Sequence, residues 1–212
     1  MLIVYGGGDG RSDLILVPFA PYQLATTALP PEYEPVMFRR FVRMVAERIA
    51  GDVGCLAISC GDNLAQVASQ TLQNLLCIDR GSDLPTLRPV LTYDKEEIVQ
   101  LAKQIETYEV SLKPYKDCCS IVSRHPRTRM RVEEVDEACN YFKFEELARQ
   151  CIPQAELVAV TGETVDARPL SELVTKRENR SGSRQRGTSS TDRLDAESFD
   201  TDDPEVEPRE IL

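Results

Sequence analysis

The chain has 212 residues but contains no tryptophan, only one histidine and no pair of cysteines in CxxC spacing. With His125 as its only histidine, it cannot form a multi-histidine metal site, and a histidine-based catalytic triad has little support. Without CxxC pairs, the seven cysteines indicate neither a zinc ribbon nor a covalent haem site. The sequence therefore shows no set of metal ligands.

Long apolar runs are also absent, and the N-terminus has no basic segment ahead of an apolar one. We therefore expect no membrane span and no signal peptide. The expected location is a reducing cytoplasm, where the cysteines remain thiols. The net charge of -10 argues against binding nucleic acid by bulk electrostatics, although a local basic patch could still do so.

The composition changes past Thr175. Residues 176–186 are basic and rich in serine and glycine, whereas residues 192–210 are strongly acidic and nearly free of large apolar side chains. Such a segment cannot bury enough surface to offset its ordering entropy. The sequence predicts one domain over residues 1–175 and a disordered charged tail over residues 176–212.

Apolar patterns within the domain predict strands that alternate with helices. Short apolar runs predict buried strands at 14–19, 53–59, 75–78 and 87–91. Helical periodicity predicts helices at 36–50, 63–74, 94–105, 132–141 and 144–151. Asp94 and Glu97 have the spacing of a capping box at the start of one of them. This alternation favours an α/β domain with a mainly parallel sheet.

The segment 58–74, ISCGDNLAQVASQTLQN, carries the clearest chemical signal. A predicted strand ends there, Gly61 allows close backbone approach, and a predicted helix begins. Helix N-termini bind phosphates, and open parallel sheets bind ligands at the carboxyl ends of their strands. From this pattern alone, a simple tight turn remains an equally good interpretation.

Residues 61–72, GDNLAQVASQTL, closely resemble the G-[ED]-S-L-G-Q-V-A-S-Q-T-L signature of the tRNA 4-thiouridine synthetases, the ThiI family. Further matches follow in the family's order: VPF at 17–19, VMFRRF at 36–41, DLP at 83–85, LRPVL at 87–91, DKEEI at 94–98, TYEVS at 107–111, PYKDCC at 114–119 and RHPRT at 124–128. The resemblance covers about residues 5–145. It departs from the signature at Asn63 and Ala65, where the family has serine and glycine.

The resemblance implies a three-layer, Rossmann-like domain of the adenine nucleotide alpha hydrolase type. The family's pyrophosphate loop (PP-loop), S-G-G-x-D-S, comes earlier in that domain. The segment 5–10, YGGGDG, echoes this loop, but both serines are missing and a predicted strand follows instead of a helix. We therefore expect a partial domain that lacks its first strand and the PP-loop. The rhodanese domain of some members is absent as well.

The function that the resemblance implies is tRNA sulfur transfer. ATP, with Mg expected beside it, adenylates a tRNA uridine, and a cysteine persulfide then supplies sulfur to give 4-thiouridine, with a link to thiamine thiazole sulfur supply. The matching positions are Arg39, Gly61 and Gln70 for the nucleotide and Cys118 or Cys119 for sulfur. The basic residues Arg124, His125, Arg127 and Arg129 would contact tRNA, and the other five cysteines are predicted to be buried as small hydrophobic residues.

Two alternatives to a tRNA sulfurtransferase domain remain open. One is a catalytically incomplete sulfur-relay or RNA-binding module descended from the family, and the other is a related ATP-pyrophosphatase acting on a small molecule. The partners implied are tRNA and a cysteine desulfurase. Either the domain is truncated at its start, or a separate chain supplies the PP-loop and the THUMP module. Homodimer assembly also remains open, and no membrane partner is expected.

Overall fold

The computed structural model describes residues 2–6, 12–64, 66–114, 125–161 and 164–171. Over these residues the chain forms seven α-helices, six strands and two 3₁₀ turns. The strands are β1 (Leu2–Gly6), β2 (Ser12–Leu16), β3 (Ile58–Ser59), β4 (Thr86–Leu87), β5 (Glu156–Thr161) and β6 (Thr164–Pro169). The helices are α1 (Ala20–Ala25), α2 (Glu34–Val53), α3 (Leu72–Asp79), α4 (Lys95–Gln104), α5 (Tyr108–Ser111), α6 (Val132–Tyr141) and α7 (Phe144–Cys151). The 3₁₀ turns are Ala68–Gln70 and Ile152–Gln154.

The strands form two separate sheets. Four strands lie in the order β1-β2-β5-β6 with every neighbouring pair antiparallel, and β3 pairs with β4 in parallel. The prediction of a mainly parallel sheet is therefore wrong for the described residues. Short connections join β1 to β2 and β5 to β6, and a short connection can only return the chain antiparallel. The β3–β4 crossover, which contains α3, is long enough for parallel pairing. The strands β2 and β5 pair antiparallel although most of the helices lie between them in sequence.

The helix α2 forms the centre of the core. It begins near Pro35, which suits a first helical turn, and ends at Gly54, whose φ of 66° is the left-handed C-cap conformation. Its buried side chains include Met37, Phe41 and Ile49. The prediction of a helix over 36–50 is thus confirmed, with one extra turn at the C-terminal end.

Aromatic rings tie the neighbouring helices to α2. The Tyr22 ring stacks on Phe41 at a centroid distance of 4.9 Å, and Phe41 meets Phe144 edge-on at 5.4 Å. These contacts bring α1 and α7 together on one face of α2. Such pairs contribute about 0.5–1.5 kcal/mol each beyond the burial of their area.

Three other predicted helices are present where the local signals place them. Asp94 and Glu97 form the expected capping box at the start of α4, with the Glu97 N–H donating to the Asp94 carboxylate at 2.8 Å. The helices α6 and α7 have the predicted bounds. In α7 the buried residues Phe144, Leu147, Ala148 and Cys151 recur at helical spacing, as an amphipathic helix requires.

The segment around residue 70 differs from the prediction. No helix spans 63–74; the chain makes a 3₁₀ turn at Ala68–Gln70, and α3 begins at Leu72. Thr71 is extended, with ψ at 156°, and caps α3 because its hydroxyl accepts from the Asn74 N–H at 3.2 Å. The strand predicted at 75–78 is wrong, since these residues lie inside α3 and bury Leu75 and Ile78 at helical spacing.

The other predicted strands are shorter in the structure. The strand at 53–59 is reduced to β3 because α2 continues through Val53, and the strand at 87–91 is reduced to β4. The run at 14–19 ends as β2 at Leu16. The strands β5 and β6 were not predicted. The predicted domain end at 175 and the tail over 176–212 lie outside the described residues, as does most of the YGGGDG segment.

Candidate functional site

A cleft of about 460 Å³ lies between α2 and the β3–β4 pair. Its apolar wall comes from α2 and includes Val42, Ala46 and Ile49. Its polar side comes from residues that follow the two parallel strands and from the start of α2, namely Cys60, Asp62, Arg88 and Arg39. The cleft therefore opens at the carboxyl ends of parallel strands, where α/β sheets bind their ligands.

The Asp62 carboxylate organises the charges of this cleft. Asp62 is only 3% exposed, and one of its oxygens is paired with the Arg39 guanidinium. The other oxygen accepts from Arg88 Nε at 3.0 Å and from the Cys60 thiol at 2.9 Å. A buried carboxylate requires such partners, and here two arginines and a thiol supply them.

Arg88 also binds a second carboxylate. Its Nη2 atom lies 2.8 Å from Asp79 Oδ2, at the C-terminal end of α3. Arg88 follows β4 directly, and Asp62 follows β3, so the parallel pairing places the two side chains on the same edge. Asp62 and Arg88 were not among the predicted site residues, although both belong to matched motifs.

Arg43 fixes the loop that leads into β4. Its guanidinium is buried and donates to Thr86 Oγ1 at 3.1 Å and to the Leu84 carbonyl at 2.6 Å. Burial lowers the pKa of Arg43, although the carboxylates of Glu47 and Asp79 act in the opposite direction. Arg43 therefore positions one wall of the cleft and has little freedom to bind a ligand.

Of the three predicted nucleotide-binding residues, only Arg39 lines the cleft among the described residues. Gly61 lies between the cleft residues Cys60 and Asp62, and a methyl group added at its Cα would meet no atom within 4 Å. The space beside Gly61 is thus open, as a close ligand approach requires. Gln70 lies at the end of the 3₁₀ turn that precedes α3 and is half-buried.

Asn63, which departs from the family signature, fixes the turn after β3. Its side-chain amide is buried and donates to the carbonyl of Val90 at 2.8 Å and to the carbonyl of Tyr93. The Leu64 N–H adds a backbone bond to the Leu91 carbonyl at 2.9 Å. A serine side chain is shorter and has only one donor, so it cannot make both of these hydrogen bonds. Asparagine therefore adds a second side-chain hydrogen bond between the turn and residues 90–93.

Residues 115–124, which contain Cys118, Cys119 and Arg124, lie outside the described residues. The basic segment continues past them, with His125 and Arg129 exposed. Arg127 is less available because its guanidinium donates to the Tyr33 hydroxyl at 2.6 Å, lies 3.4 Å from the Glu134 carboxylate and sits over the Tyr33 ring. Arg127 therefore has a structural role in holding this segment against α2 and α6.

The remaining five cysteines differ in their surroundings. Cys77, Cys139 and Cys151 are buried, as predicted, and burial raises the pKa of each thiol, to about 11 for Cys139. Cys55 and Cys60 are only half-buried, so the prediction of buried thiols is wrong for them. Burial raises the pKa of Cys60 despite the nearby Arg88 and Arg39, so Cys60 is a neutral thiol that donates to Asp62.

Two further properties concern only the part of the chain that the structure describes. Within it, no three His, Cys, Asp or Glu side chains come close enough to hold a metal ion. Among the same residues, no helix combines the length and the apolar character that crossing a bilayer requires.

Comparisons with known proteins show the family of the chain. Residues 4–144 match the family model described as "Thiamine biosynthesis protein (ThiI)". The chain is 36% identical over 169 residues to a "Probable tRNA sulfurtransferase" of Staphylococcus aureus strain JH1, which covers 78% of this chain and 42% of that protein. A "Probable tRNA sulfurtransferase" of Moorella thermoacetica is 36% identical over 162 residues, covering 76% and 42% respectively.

A solved structure is also similar to this chain. A crystal structure of a 4-thiouridine synthetase–RNA complex with bound ATP superposes with a TM-score of 0.66 at 34% identity and covers 70% of this chain and 39% of that one. The chain thus spans less than half the length of the curated relatives it matches. Because the family model covers well over half of the chain, the chain belongs to the ThiI family.

Proposed function

We propose that this chain contributes the nucleotide-facing turn and the sulfur-transferring cysteines of a tRNA sulfurtransferase that forms 4-thiouridine. One observation carries the proposal. The family signature at 61–72 begins at the carboxyl end of β3, where Arg39 lines the cleft and Gly61, between the cleft residues Cys60 and Asp62, has open space beside it. The similarity to a 4-thiouridine synthetase solved with RNA and ATP supports the same assignment.

In this proposal Arg39 binds the phosphates of ATP. A guanidinium offers a planar fork of donors that matches phosphate oxygens, and Arg39 is 28% exposed, so it can reach a ligand in the cleft. The open side of Gly61 lets the nucleotide approach the backbone. Gln70 reaches the nucleotide from the 3₁₀ turn, where its amide can both donate and accept.

Among the described residues, the side chains of the cleft do not build a Mg²⁺ site. The two acidic groups of the cleft, Asp62 and Asp79, already bind Arg39 and Arg88. Magnesium usually enters nucleotide sites with the phosphates and keeps several waters. We therefore propose that any Mg²⁺ is held mainly by the triphosphate, with the PP-loop beside it.

The proposed reaction has two steps. The uridine O4 atom bonds to the α-phosphorus of ATP and pyrophosphate leaves, which turns O4 into part of a good leaving group. The outer sulfur of a persulfide on Cys118 or Cys119 then bonds to C4 as the C4–O4 bond breaks and AMP departs. A second thiol then bonds to the inner sulfur as the bond between the two persulfide sulfurs breaks, which leaves the outer sulfur on C4 as 4-thiouridine. A dithiol reductant reduces the resulting disulfide and restores both thiols.

The partners in this proposal are a tRNA and a cysteine desulfurase that loads the persulfide, in the cytoplasm. Arg124, His125 and Arg129 would bind tRNA phosphates, and Arg127 would keep their segment in place. The PP-loop and THUMP parts come from another segment or a separate chain, and homodimer formation stays open. The same persulfide could supply sulfur for the thiazole of thiamine.

A second candidate is a sulfur-relay or RNA-binding module that no longer uses ATP. The observation that favours it is the state of the cleft, where the Arg39 and Arg88 guanidiniums are both paired with carboxylates of the chain. A nucleotide would have to compete with Asp62 for Arg39. The two candidates therefore differ in a measurable property, the affinity for ATP.

The discriminating experiment is a calorimetric titration of the full chain with ATP. The Arg39→Ala, Gln70→Ala double variant should bind ATP at least about tenfold more weakly, which corresponds to about 1.4 kcal/mol. Arg48→Ala serves as the matched control, because Arg48 lies on the same helix but pairs with Glu145 outside the cleft. Equal affinity in wild type and the double variant would contradict the nucleotide assignment, and no ATP binding at all would favour the second candidate.

A further inference from the structure

A fully buried asparagine joins two segments that the proposed function uses separately. Asn74, in the first turn of α3, is 0% exposed. Its Nδ2 atom donates to the Ala68 carbonyl at 2.6 Å and to the Arg127 carbonyl at 2.9 Å. Its Oδ1 atom accepts from the Met130 N–H at 2.9 Å. Both amide hydrogens and the carbonyl oxygen of this side chain are therefore used.

Two neighbours on α3 reinforce this connection. The Thr71 hydroxyl donates to the Thr128 carbonyl at 2.7 Å, and the Cys77 thiol lies 3.5 Å from the Met130 carbonyl. Thr71, Asn74 and Cys77 together hold the backbone of residues 127–130, which we call the docked segment. Because the bonds go to backbone atoms, the docked segment is fixed in register as well as in position.

We infer that Asn74 and Thr71 are positioning residues that fix the docked segment, which follows the cysteines in sequence, against the turn that carries Gln70. The inference rests on the proposed function. The side-chain amide of Asn74 donates both to the Ala68 carbonyl, in the 3₁₀ turn that ends at Gln70, and to the Arg127 carbonyl of the docked segment. A fully satisfied buried polar network specifies one geometry, and losing one member leaves the others without partners.

The consequence for the reaction is a fixed position, relative to the 3₁₀ turn, for the chain that follows the cysteines. Sulfur transfer requires the persulfide to reach C4 of the uridine whose O4 has been adenylated. Errors of about 1 Å in such an arrangement can cost about a hundredfold in rate. Releasing the docked segment should therefore slow sulfur transfer while nucleotide binding persists.

The test uses Thr71, since replacing the fully buried Asn74 could prevent folding. Thr71→Val removes the bond to the docked segment and the cap on α3, whereas Thr71→Ser keeps both. Asp94→Ala is the second control, because it removes a cap from α4 without touching the docked segment. The three variants separate a loss of helix capping from a loss of positioning.

The first measurement needs no activity. Limiting iodoacetamide and peptide mapping give the alkylation rate of Cys118 and Cys119 against pH in the full chain. If the position of the docked segment sets how strongly its cations stabilise these thiolates, Thr71→Val should slow alkylation at pH 7 at least about threefold, or half a pKa unit. Thr71→Ser and Asp94→Ala should match wild type. An unchanged pH midpoint in Thr71→Val overturns the inference, whether or not the wild type makes thiouridine.

The second measurement separates the two half-reactions. In Thr71→Val, the rate of 4-thiouridine formation should fall at least about tenfold. The ATP dissociation constant should stay within about threefold of the wild-type value. Equal losses of ATP affinity and sulfur transfer would indicate a general structural role and overturn the inference. If Thr71→Val shifts the thiol pKa but the wild type forms no 4-thiouridine, the result counts against the proposed function. The positioning role then still stands.

Discussion

Arg39 and Asp62 form an ion pair in which the carboxylate is nearly fully buried and the guanidinium remains partly exposed to the cleft. The same carboxylate accepts from Arg88 and from the Cys60 thiol. Asp62 thereby holds Arg39 at the carboxyl end of β3 before any ligand is present. Such preorganisation lowers the cost of ordering a long side chain when a phosphate binds.

The first prediction concerns Gly61. Gly61→Ala should leave the protein as stable as wild type or about 0.4–1 kcal/mol more stable, because the added methyl group meets no atom and the unfolded chain loses conformational freedom. The same methyl group occupies the space through which the nucleotide would approach the backbone. ATP affinity should therefore fall while the free energy of unfolding, measured by urea denaturation, does not.

A Gly61→Ala protein that is both fully stable and unimpaired in ATP binding would show that the nucleotide does not use this turn. Gly51→Ala is a suitable comparison, because a methyl group there also meets no atom but lies on α2, away from the turn.

The second prediction concerns Glu47, which holds the loop before β4. Its carboxylate accepts from the N–H groups of Asp83 at 2.6 Å and Leu84 at 3.1 Å and from the Ser82 hydroxyl at 3.0 Å. Burial alone would raise the pKa of Glu47, but these hydrogen bonds and Arg43 outweigh it and lower the pKa. Glu47→Gln should therefore destabilise the protein at neutral pH by about 1–3 kcal/mol.

The pH dependence of this effect has a definite sign. Because the folded state lowers the pKa of Glu47, the stabilisation is present above its ordinary value of 4.5 and is lost as the pH falls through the lower folded value. The unfolding free energies of wild type and Glu47→Gln should converge as the pH falls below 4.5. Ser82→Ala, which removes one of the donors, should show a smaller effect of the same sign, and a constant gap from pH 7 to pH 2 would contradict the account.

The sequence predicts those parts of the fold whose signals are local. The apolar spacing of α2 and the capping pair Asp94 and Glu97 are properties of short segments, and both are confirmed. The run at 75–78 is too short to distinguish a strand from a buried helix, and Thr71, which starts α3, was not recognised as a cap. For β5 and β6, the apolar run at 157–160 followed by the Thr-Gly pair at 161–162 was a usable hairpin signal.

The candidate site is only partly accessible to sequence reasoning. Arg39 and Gly61 were found through their motifs, but the role of Asp62 depends on a partner 26 residues away, Arg88, which parallel pairing of β3 and β4 brings beside it. The role of Asn74 likewise depends on Met130, 56 residues away. Contacts of this kind follow from tertiary packing, so a local pattern cannot reveal them.

The third prediction concerns Cys139, whose thiol is buried against α2. Burial raises its pKa from 9.0 to about 11, so the folded protein keeps this proton at a pH where the unfolded chain has lost it. The contribution of Cys139 to the free energy of unfolding is therefore fully present below pH 9. It is lost as the pH rises from 9 through about 11, and the loss reaches about 2.7 kcal/mol.

Cys139→Ala removes the titrating group, so the fall in stability above pH 9 should be smaller in the variant than in wild type. Chemical denaturation at several pH values between 8 and 11 measures both slopes. Equal slopes would show that Cys139 does not gain its proton affinity from burial in the folded state. Cys55→Ala, at a half-buried position, controls for the loss of any thiol.

The most direct test of the central claim is the amount of 4-thiouridine formed in tRNA, measured by mass spectrometry of the digested nucleosides. The full chain is incubated with tRNA, ATP, cysteine, a cysteine desulfurase, a dithiol reductant and the preceding part of a curated relative that carries the PP-loop. We predict ATP-dependent 4-thiouridine with wild type, and at least about a hundredfold less, or about 2.7 kcal/mol, with the Cys118→Ser, Cys119→Ser double variant. Wild-type amounts of 4-thiouridine from that double variant would contradict the claim.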